Sequence, residues 1–204
     1  MIQVHENYLP ELVAEALYDK TLECPENWWK TAYVIDGGLP TYLSGTVKHT
    51  MIDMESEVNE SLRSGGFAYR FKRSVDHVEK CPCYQCEFRY YVSYVLKEFI
   101  EKQFNMENLE LDNMFFSVYK SGDFLSMHHD EDRGDVAFVI NLTKHWRPEF
   151  GGMFHCEGKY IEPKFNSLMI MDLGKKGVDH FVSEVSHRTP FPRVAVSGWF
   201  KKSK

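Results

Sequence analysis

The sequence lacks the features that would direct it into a membrane or onto a nucleic acid. No stretch approaches the run of about 18 uncharged apolar residues that a membrane helix needs, and no basic segment followed by an apolar run stands at its start. We therefore expect neither a membrane span nor a secretory signal. Lys and Arg number 24 against 30 Asp and Glu, a net charge of −6. Without a positive field to attract a polyanion, a nucleic-acid partner is disfavoured.

Cysteine is scarce, and most of it is concentrated in one short segment. The five cysteines form an odd set and no leader accompanies them, which favours reduced thiols and a cytoplasmic location. The segment Cys81-Pro82-Cys83-Tyr84-Gln85-Cys86 offers three thiolates for a structural zinc ion, with a fourth ligand from Cys24, Cys156 or His77. The alternative is a tight proline turn that caps a helix, with small buried thiols.

No repeat, linker or long block of like charge divides the chain, so we expect a single domain over residues 1–204. Two helices are predicted with most support. One begins with Pro10 at its first position and places Leu12, Val13, Ala16 and Leu17 at helical spacing. The other, Glu87–Phe104, carries an apolar stripe of Phe88, Val92, Leu96 and Phe99, widened by Val95 and Ile100. A shorter acidic helix is predicted over Met54–Leu62.

Short strand-like runs separated by turns fill the second half of the chain. They are Met114–Tyr119, Phe124–His128, Val136–Leu142, Met153–Cys156, Ser167–Met171, Phe181–Val185 and Val194–Phe200, and they follow two earlier runs at Trp28–Ile35 and Phe67–Phe71. This order predicts an α+β fold with a mainly β core. We expect a double-stranded β-helix (jelly roll) over roughly residues 110–200, buttressed by N-terminal and central helices.

The segment Met127-His128-His129-Asp130 carries the first candidate site residues. Because side chains alternate along a strand, His128 and Asp130 point to one face and His129 to the other. His180, which opens another strand-like run, is the best candidate for a third ligand. Two imidazoles and one carboxylate leave three coordination positions open, an arrangement typical of non-haem Fe(II) oxygenases.

The residues around this triplet give it context. Tyr119 stands nine residues before His128, Gly151-Gly152 lies between the two histidines, and Arg193 opens the alternating run Arg193–Phe200. Together these residues resemble the 2-oxoglutarate/Fe(II)-dependent oxygenase superfamily, and within it the prolyl-hydroxylase-like group. The resemblance covers residues 110–200 well, and the first half of the chain only in its general plan of helices and strands.

The resemblance implies Fe(II), the cosubstrate 2-oxoglutarate and O2, with ascorbate as a further candidate cofactor. His128, Asp130 and His180 match the iron ligands of the family. Arg193 matches the residue that holds the distal carboxylate of 2-oxoglutarate, a task that suits a guanidinium fork. Tyr119 matches a tyrosine whose hydroxyl reaches the same cosubstrate, and Ser197 could add a hydrogen bond.

One spacing departs from the family pattern. Arg193 lies thirteen residues after His180, a longer gap than in many relatives, and Arg188 is the alternative guanidinium. The residues that follow Arg193 fall where the family places them, which favours Arg193. Trp199 matches an aromatic of the family pattern and is assigned to the core rather than to the chemistry.

The resemblance further implies an enzyme that hydroxylates an aliphatic C–H bond and releases succinate and CO2. A prolyl or other amino-acid residue of a protein or peptide is the expected substrate, with a free amino acid or small metabolite as the alternative. Since Asp130 is present, hydroxylation is favoured over halogenation. The resemblance implies this because the halogenases of the superfamily carry a small residue in place of that carboxylate ligand. A non-catalytic metal-binding jelly-roll protein is the alternative of another class.

A basic segment before the β core is the candidate for contacts with the substrate. The segment from Gly65 to Cys86 contains Arg70, Lys72 and Arg73 against an acidic background. We predict a lid over the substrate here, with a plain surface strand and loop as the alternative.

Overall fold

The computed structural model describes residues 1–34, 41–43, 56, 58–75, 83–130, 133–174 and 178–203. Within these ranges, no helix is long and apolar enough to cross a bilayer. Much of the beginning of the predicted helix Met54–Leu62, together with His77 and Cys81, lies outside the described residues; residues 58–64 are helical, two residues beyond the predicted end.

The described residues form twelve strands. They are β1 (Ile2–Glu6), β2 (Trp29–Val34), β3 (Thr41–Leu43), β4 (Tyr69–Ser74), β5 (Leu109–Tyr119), β6 (Phe124–His128), β7 (Val136–Asn141), β8 (Phe154–Cys156), β9 (Lys159–Ile161), β10 (Ser167–Asp172), β11 (His180–Val182) and β12 (Arg193–Lys202). Besides the helical residues 58–64, the helices are a first helix, Glu11–Glu23, and a central helix made of Tyr84–Tyr91, a π-helical turn Val92–Leu96 and Lys97–Phe104. Short 3-10 turns span Glu26–Trp28 and Pro148–Phe150.

The strands pair antiparallel in the order β1-β10-β7-β12-β5-β4-β6-β11-β8-β9, and β2 and β3 extend from β4. The first five form the larger sheet and the last four the smaller one, with β4 joining them by pairing with both β5 and β6. This curled arrangement is the predicted jelly roll. β1, β2 and β4 of the N-terminal half join it, so the β structure is not confined to the C-terminal half.

Alternation along β12 separates the two hydrophobic clusters of the fold. Val194 and Val196 are buried with the helices, in what we call the helix-side cluster. Arg193, Ala195 and Ser197 therefore point to the other face, toward the barrel cluster, which Trp199 contacts. Because residues of one strand face share one environment, the long run Arg193–Lys202 brings polar residues into the barrel.

The central helix covers the outer face of the larger sheet. Its buried residues Phe88, Val92, Leu96 and Ile100 follow a strict four-residue spacing. In an α-helix four residues rotate by about 40° more than one full turn, so a stripe with this spacing would drift around the helix. The wider π-helical turn compensates for this drift and keeps the stripe on one face. Val95, predicted to widen the stripe, is instead 50% exposed.

The first helix buries a different face from the predicted one. It begins at Glu11 with Pro10 as its N-cap, and it buries Ala14, Leu17 and Thr21. Leu12, Val13 and Ala16 are exposed, with Leu12 85% accessible. Of the four predicted residues only Leu17 is buried, so the prediction was wrong for Leu12, Val13 and Ala16.

Candidate metal centre

Three side chains with metal-binding chemistry meet where β6 and β11 run side by side. His128 ends β6, Asp130 follows two residues later, and His180 begins β11. The register of the two strands places His180 opposite His128. One ligand atom from each of the three residues lies within 4.8 Å of the others, so a single ion could contact all three.

Backbone carbonyl groups orient both imidazole rings. His128 Nδ1 lies 2.9 Å from the carbonyl oxygen of Ser126, and His180 Nδ1 lies 2.6 Å from that of Val178. Since a carbonyl oxygen only accepts, each neutral ring carries its proton on Nδ1 and keeps the Nε2 lone pair for a ligand. The two Nε2 atoms lie 3.7 Å and 3.5 Å from the carboxylate oxygens of Asp130.

Asp130 is held by a tryptophan that the sequence analysis assigned to the core. The indole Nε1–H of Trp199 donates a hydrogen bond of 2.9 Å to Asp130 Oδ2. Such partners fix the direction of a metal-binding carboxylate. The signal in the sequence is that Trp199 lies on the same face of β12 as Arg193, six residues farther on.

Replacing Trp199 with phenylalanine tests this positioning role. The variant keeps an aromatic ring but removes the N–H donor, so we expect the affinity for Fe(II) or Mn(II) to fall about 10- to 100-fold. Anaerobic metal titration measures it. Trp146→Phe is the matched control, since its indole N–H donates to the Gly151 carbonyl instead. An unchanged metal affinity in Trp199→Phe would contradict the role.

Burial and neighbouring charges keep the imidazole of His128 neutral and Asp130 ionised. Burial, followed by the charge of His180, lowers the pKa of His128 to about 4. For Asp130, burial opposes the charged form, but the side chains of His180, His128 and Trp199 together outweigh it and lower the pKa. A neutral imidazole and an anionic carboxylate are the protonation states in which these groups bind a cation.

The pKa of His128 predicts how the stability of the metal-free protein depends on pH. An unfolded histidine titrates near 6.5 and the folded one near 4, so the unfolded state binds more protons between these values. The contribution of His128 to the free energy of unfolding is then highest above about pH 6.5 and falls by about 2 kcal/mol from pH 7 to pH 5, whereas Asp123, whose pKa burial raises to about 6, contributes a change of opposite sign. Urea unfolding at both values measures it. His128→Gln should lose this dependence, whereas His129→Gln, at an exposed position, should retain it.

A buried guanidinium lies on the same barrel face as Trp199. Arg193 is only 3% exposed, and its Cζ lies 4.9 Å from the ring centre of Tyr119, its register partner on β5. The Nε atom has no hydrogen-bond partner, and no carboxylate of the described residues pairs with the group. Burial lowers the pKa of Arg193 and raises that of Tyr119. An unpaired buried cation is costly, so the arrangement favours an anionic ligand.

A glycine keeps space open beside this guanidinium. Gly152 adopts φ +61°, and a Cβ there would lie 3.2 Å from Arg193 Cδ and 3.0 Å from the Trp146 ring. The sequence analysis noted Gly151-Gly152 only as part of the family pattern. Arg188, the alternative guanidinium, is exposed, whereas Ser197 lies half-buried on the strand face of Arg193.

Aromatic rings form a wall that leads from the metal ligand His128 to Tyr119. Phe67 lies 5.5 Å from the His128 ring and 5.7 Å from Tyr69, measured between ring centres. Tyr69 contacts Phe71 at 5.2 Å, and Phe71 stacks on Tyr119 at 4.5 Å. This wall gives the space beside the metal ligands an apolar side.

The predicted substrate-binding cations occupy different environments. Arg70 donates to Asp123 over 2.9 Å, and Lys72 forms an ion pair with Glu26. Arg73 alternates with Tyr69 and Phe71 on the barrel face of β4 and lies 4.3 Å over the Phe115 ring. Of the three, Arg73 is the one on the face of the aromatic wall. The described part of the predicted lid is largely the strand β4, and residues 76–82 lie outside the described ranges.

The cysteines divide between the two sides of the larger sheet. Cys156 is buried in the barrel cluster, opposite His180, whereas Cys24 packs against the helix-side cluster. Cys83 is the N-cap of the central helix, as the alternative to zinc predicted, but Cys83 and Cys86 are half-buried rather than buried. Zinc binding that includes Cys81 stays a prediction.

Comparison with known proteins agrees with this geometry. Residues 114–201 match the model of the 2OG-Fe(II) oxygenase superfamily. A prolyl-4-hydroxylase of Pseudomonas putida is 17% identical, with TM-score 0.59 over 99% of this chain and 92% of that one. No curated protein sequence matches the chain.

Two further solved structures share the fold. A Trichoplax adhaerens prolyl hydroxylase, bound to a peptide of hypoxia inducible factor, is 17% identical with TM-score 0.63 over 98% of this chain and 83% of that one. A viral collagen prolyl hydroxylase from Paramecium bursaria Chlorella virus-1, in a 2-oxoglutarate complex, is 12% identical with TM-score 0.53 over 100% and 96%. Residues 114–201 thus match the 2OG-Fe(II) oxygenase superfamily, and the chain shares the fold of these prolyl hydroxylases.

Proposed function

We propose that this oxygenase hydroxylates an aliphatic C–H bond of a prolyl or other amino-acid residue in a peptide or protein, and that succinate and CO2 are the coproducts. In this proposal His128, Asp130 and His180 hold Fe(II), while Arg193 and Tyr119 hold 2-oxoglutarate with help from Ser197. O2 is the oxidant, and ascorbate remains a predicted aid to turnover. The single-domain organisation and the cytoplasmic location also stay predictions.

The observation that carries the proposal is the buried guanidinium of Arg193. Its Nε has no partner, it lies against Tyr119, and Gly152 leaves space beside it. A protein that only stores a metal has no need of a buried cation without an anionic partner on the barrel face, because the cation raises the cost of folding. A dicarboxylate cosubstrate supplies the missing anion.

The donor set of the triad fits a ferrous ion. Two neutral imidazoles and one carboxylate are the ligands of non-haem Fe(II) oxygenases, and they leave positions for other molecules. When bound, the ion would activate O2, which is the oxidant, and 2-oxoglutarate would supply two of the electrons that reduce it. The chain's own residues act by position, since Trp199 directs Asp130 and two carbonyl groups direct the imidazoles.

The wall of Phe67, Tyr69 and Phe71 supports a ring-sized apolar substrate group. Aromatic faces pack well against aliphatic rings and exclude water from the reacting atoms. The named relatives act on prolyl residues by their printed descriptions, which agrees with such a group. A free amino acid or another small metabolite is the competing substrate.

A succinate-release assay tests the proposal. The metal-loaded protein is incubated with 2-oxoglutarate, ascorbate and either a proline-containing peptide library or a pool of amino acids. We expect peptide-dependent succinate, with a product heavier by one oxygen atom in mass spectrometry. Turnover only with amino acids would move the substrate to the small-molecule class, and binding of iron with no succinate under any condition would favour the non-catalytic metal-binding alternative.

A further inference from the structure

Three thiols outside the metal centre lie around the start of the central helix. Cys83 is the N-cap, with extended backbone angles of φ −119° and ψ 158°, and Cys86 is the third helical residue. Cys24 lies 3.1 Å from the hydroxyl oxygen of Tyr84, the residue between them and the first of the helix. All three are thiols in the structure and are half-buried.

Helix geometry places Cys83 and Cys86 within bonding reach of each other. Residues three apart at a helix start have Cα atoms about 5 Å apart, inside the range that a disulfide requires. In a capping box the side chains at the N-cap and N3 positions each reach the backbone N–H of the other residue, so both point toward the same end of the helix. No large backbone movement is therefore needed to join the two sulfur atoms.

The position of the pair also favours reaction. The free N–H groups and dipole of a first helical turn stabilise a thiolate over a thiol. The central helix continues from Tyr84 to Phe104, so it presents a full-length dipole. Both residues are half-buried rather than enclosed in the core.

Cys24 provides a contrast within the same neighbourhood. Burial raises the pKa of its thiol, although Tyr84 and Gln85 offer it hydrogen bonds. Cys24 precedes Pro25 and the turn Glu26–Trp28 rather than a long helix. It should remain protonated and unreactive, which makes it a matched internal control.

We propose that Cys83 and Cys86 are a redox-active dithiol that forms a reversible disulfide. The oxidant is a small-molecule disulfide. The Cys83 thiolate attacks one of its sulfur atoms and releases one thiolate, and the Cys86 thiolate then attacks Cys83 in the mixed disulfide and releases the second. The dithiol loses two electrons and two protons, and the reagent gains them as two thiols.

This site is separate from the candidate metal centre. Tyr84 and Phe88 pack against Phe116 on the helix side of β5, whereas Tyr119 and the metal ligands belong to the barrel side. The dithiol therefore does not depend on the oxygenase chemistry, and it can be tested in protein without metal. Disulfides that form in reducing compartments are usually transient or redox-sensing.

Oxidised glutathione is the probe for the full-length chain. We expect peptide mapping to show the loss of two hydrogens on the peptide carrying Cys83 and Cys86, with reversal by dithiothreitol. Before oxidation, Cys83 should react with iodoacetamide roughly tenfold faster than Cys24 at neutral pH. Cys83→Ser should leave Cys86 in a mixed disulfide with glutathione, or unreacted, and circular dichroism checks that each variant folds.

Two variants and one metal analysis decide the outcome. Cys24→Ser and Cys81→Ser should both retain the Cys83–Cys86 disulfide. Loss of the disulfide in Cys81→Ser would overturn the proposal by assigning the pairing to Cys81. Tightly bound zinc that protects the cysteines from alkylation would also overturn it, as would equal reaction rates at Cys83 and Cys24. None of these results depends on whether the chain hydroxylates a peptide.

Discussion

Replacing Arg193 with methionine is expected to weaken 2-oxoglutarate binding and, at the same time, to stabilise the empty protein. Removing one partner of a buried charge pair costs about 2–5 kcal/mol, so the KM for 2-oxoglutarate should rise about 30-fold or more. Without the cosubstrate, the buried guanidinium has no anion among the described residues, and its removal should raise the free energy of unfolding by about 1 kcal/mol or more. Turnover at varied 2-oxoglutarate and urea unfolding measure the two effects.

Arg188→Met is the matched control, since Arg188 is exposed and is the alternative guanidinium in the sequence. It should change neither the KM nor the stability appreciably. A larger increase in KM for Arg188→Met than for Arg193→Met would transfer the cosubstrate role to Arg188. An Arg193→Met protein that is less stable when empty would show that the guanidinium has a structural partner.

Replacing His180 with alanine is expected to abolish both metal binding and turnover. His180 is 4% exposed and lies opposite His128, so no other described imidazole can take its place without moving a strand. Removing a residue that only hydrogen-bonds to a metal ligand lowers the metal affinity about 10- to 100-fold. Removing a ligand itself should lower the affinity further. Metal titration and succinate release measure the effects.

His129→Ala is the control for this substitution. His129 adjoins both ligands in the sequence, but it is exposed and lies 3.6 Å from Asp179. The His129→Ala variant should bind metal and release succinate as the unmodified protein does. A His180→Ala protein that kept its iron and its activity would remove His180 from the proposed ligand set.

The sequence was most informative where chemistry and strand period agree. The alternation in Met127-His128-His129-Asp130 predicted which residues share a face, and the structure brings His128, Asp130 and His180 together. Strand β6 has the predicted bounds, Phe124–His128. The jelly roll followed from repeated short apolar runs, because each run must bury one face against another strand.

The sequence was least informative where tertiary contacts decide. β1 and β9 were not predicted, since none of their residues is fully buried and their strand character comes from pairing with β10 and β8. The strand predicted over Phe181–Val185 is shorter, His180–Val182. The strand begins one residue earlier than predicted, and this places His180 within the sheet.

The periodicity of the sequence also could not predict the hydrogen-bond and ion-pair partners of the side chains in the site. Alternation along β12 places Trp199 on the face of Arg193, but it does not identify Asp130 as the partner of the indole N–H, since 69 positions separate the two residues. Arg70 and Lys72 were grouped with Arg73 as cations of one segment, but alternation on β4 turns them to the opposite face, where Asp123 and Glu26 pair with them. The charges within a sequence segment do not show on which face of the strand each side chain lies.

The most direct test of the proposed site is calorimetric titration of 2-oxoglutarate into the protein under anaerobic conditions, with and without Mn(II) in place of Fe(II). The proposed arrangement of His128, Asp130, His180 and Arg193 predicts tight binding that requires the metal and that is lost in Arg193→Met. Binding of the metal with no binding of 2-oxoglutarate, or equal binding of 2-oxoglutarate with and without the metal, would contradict it.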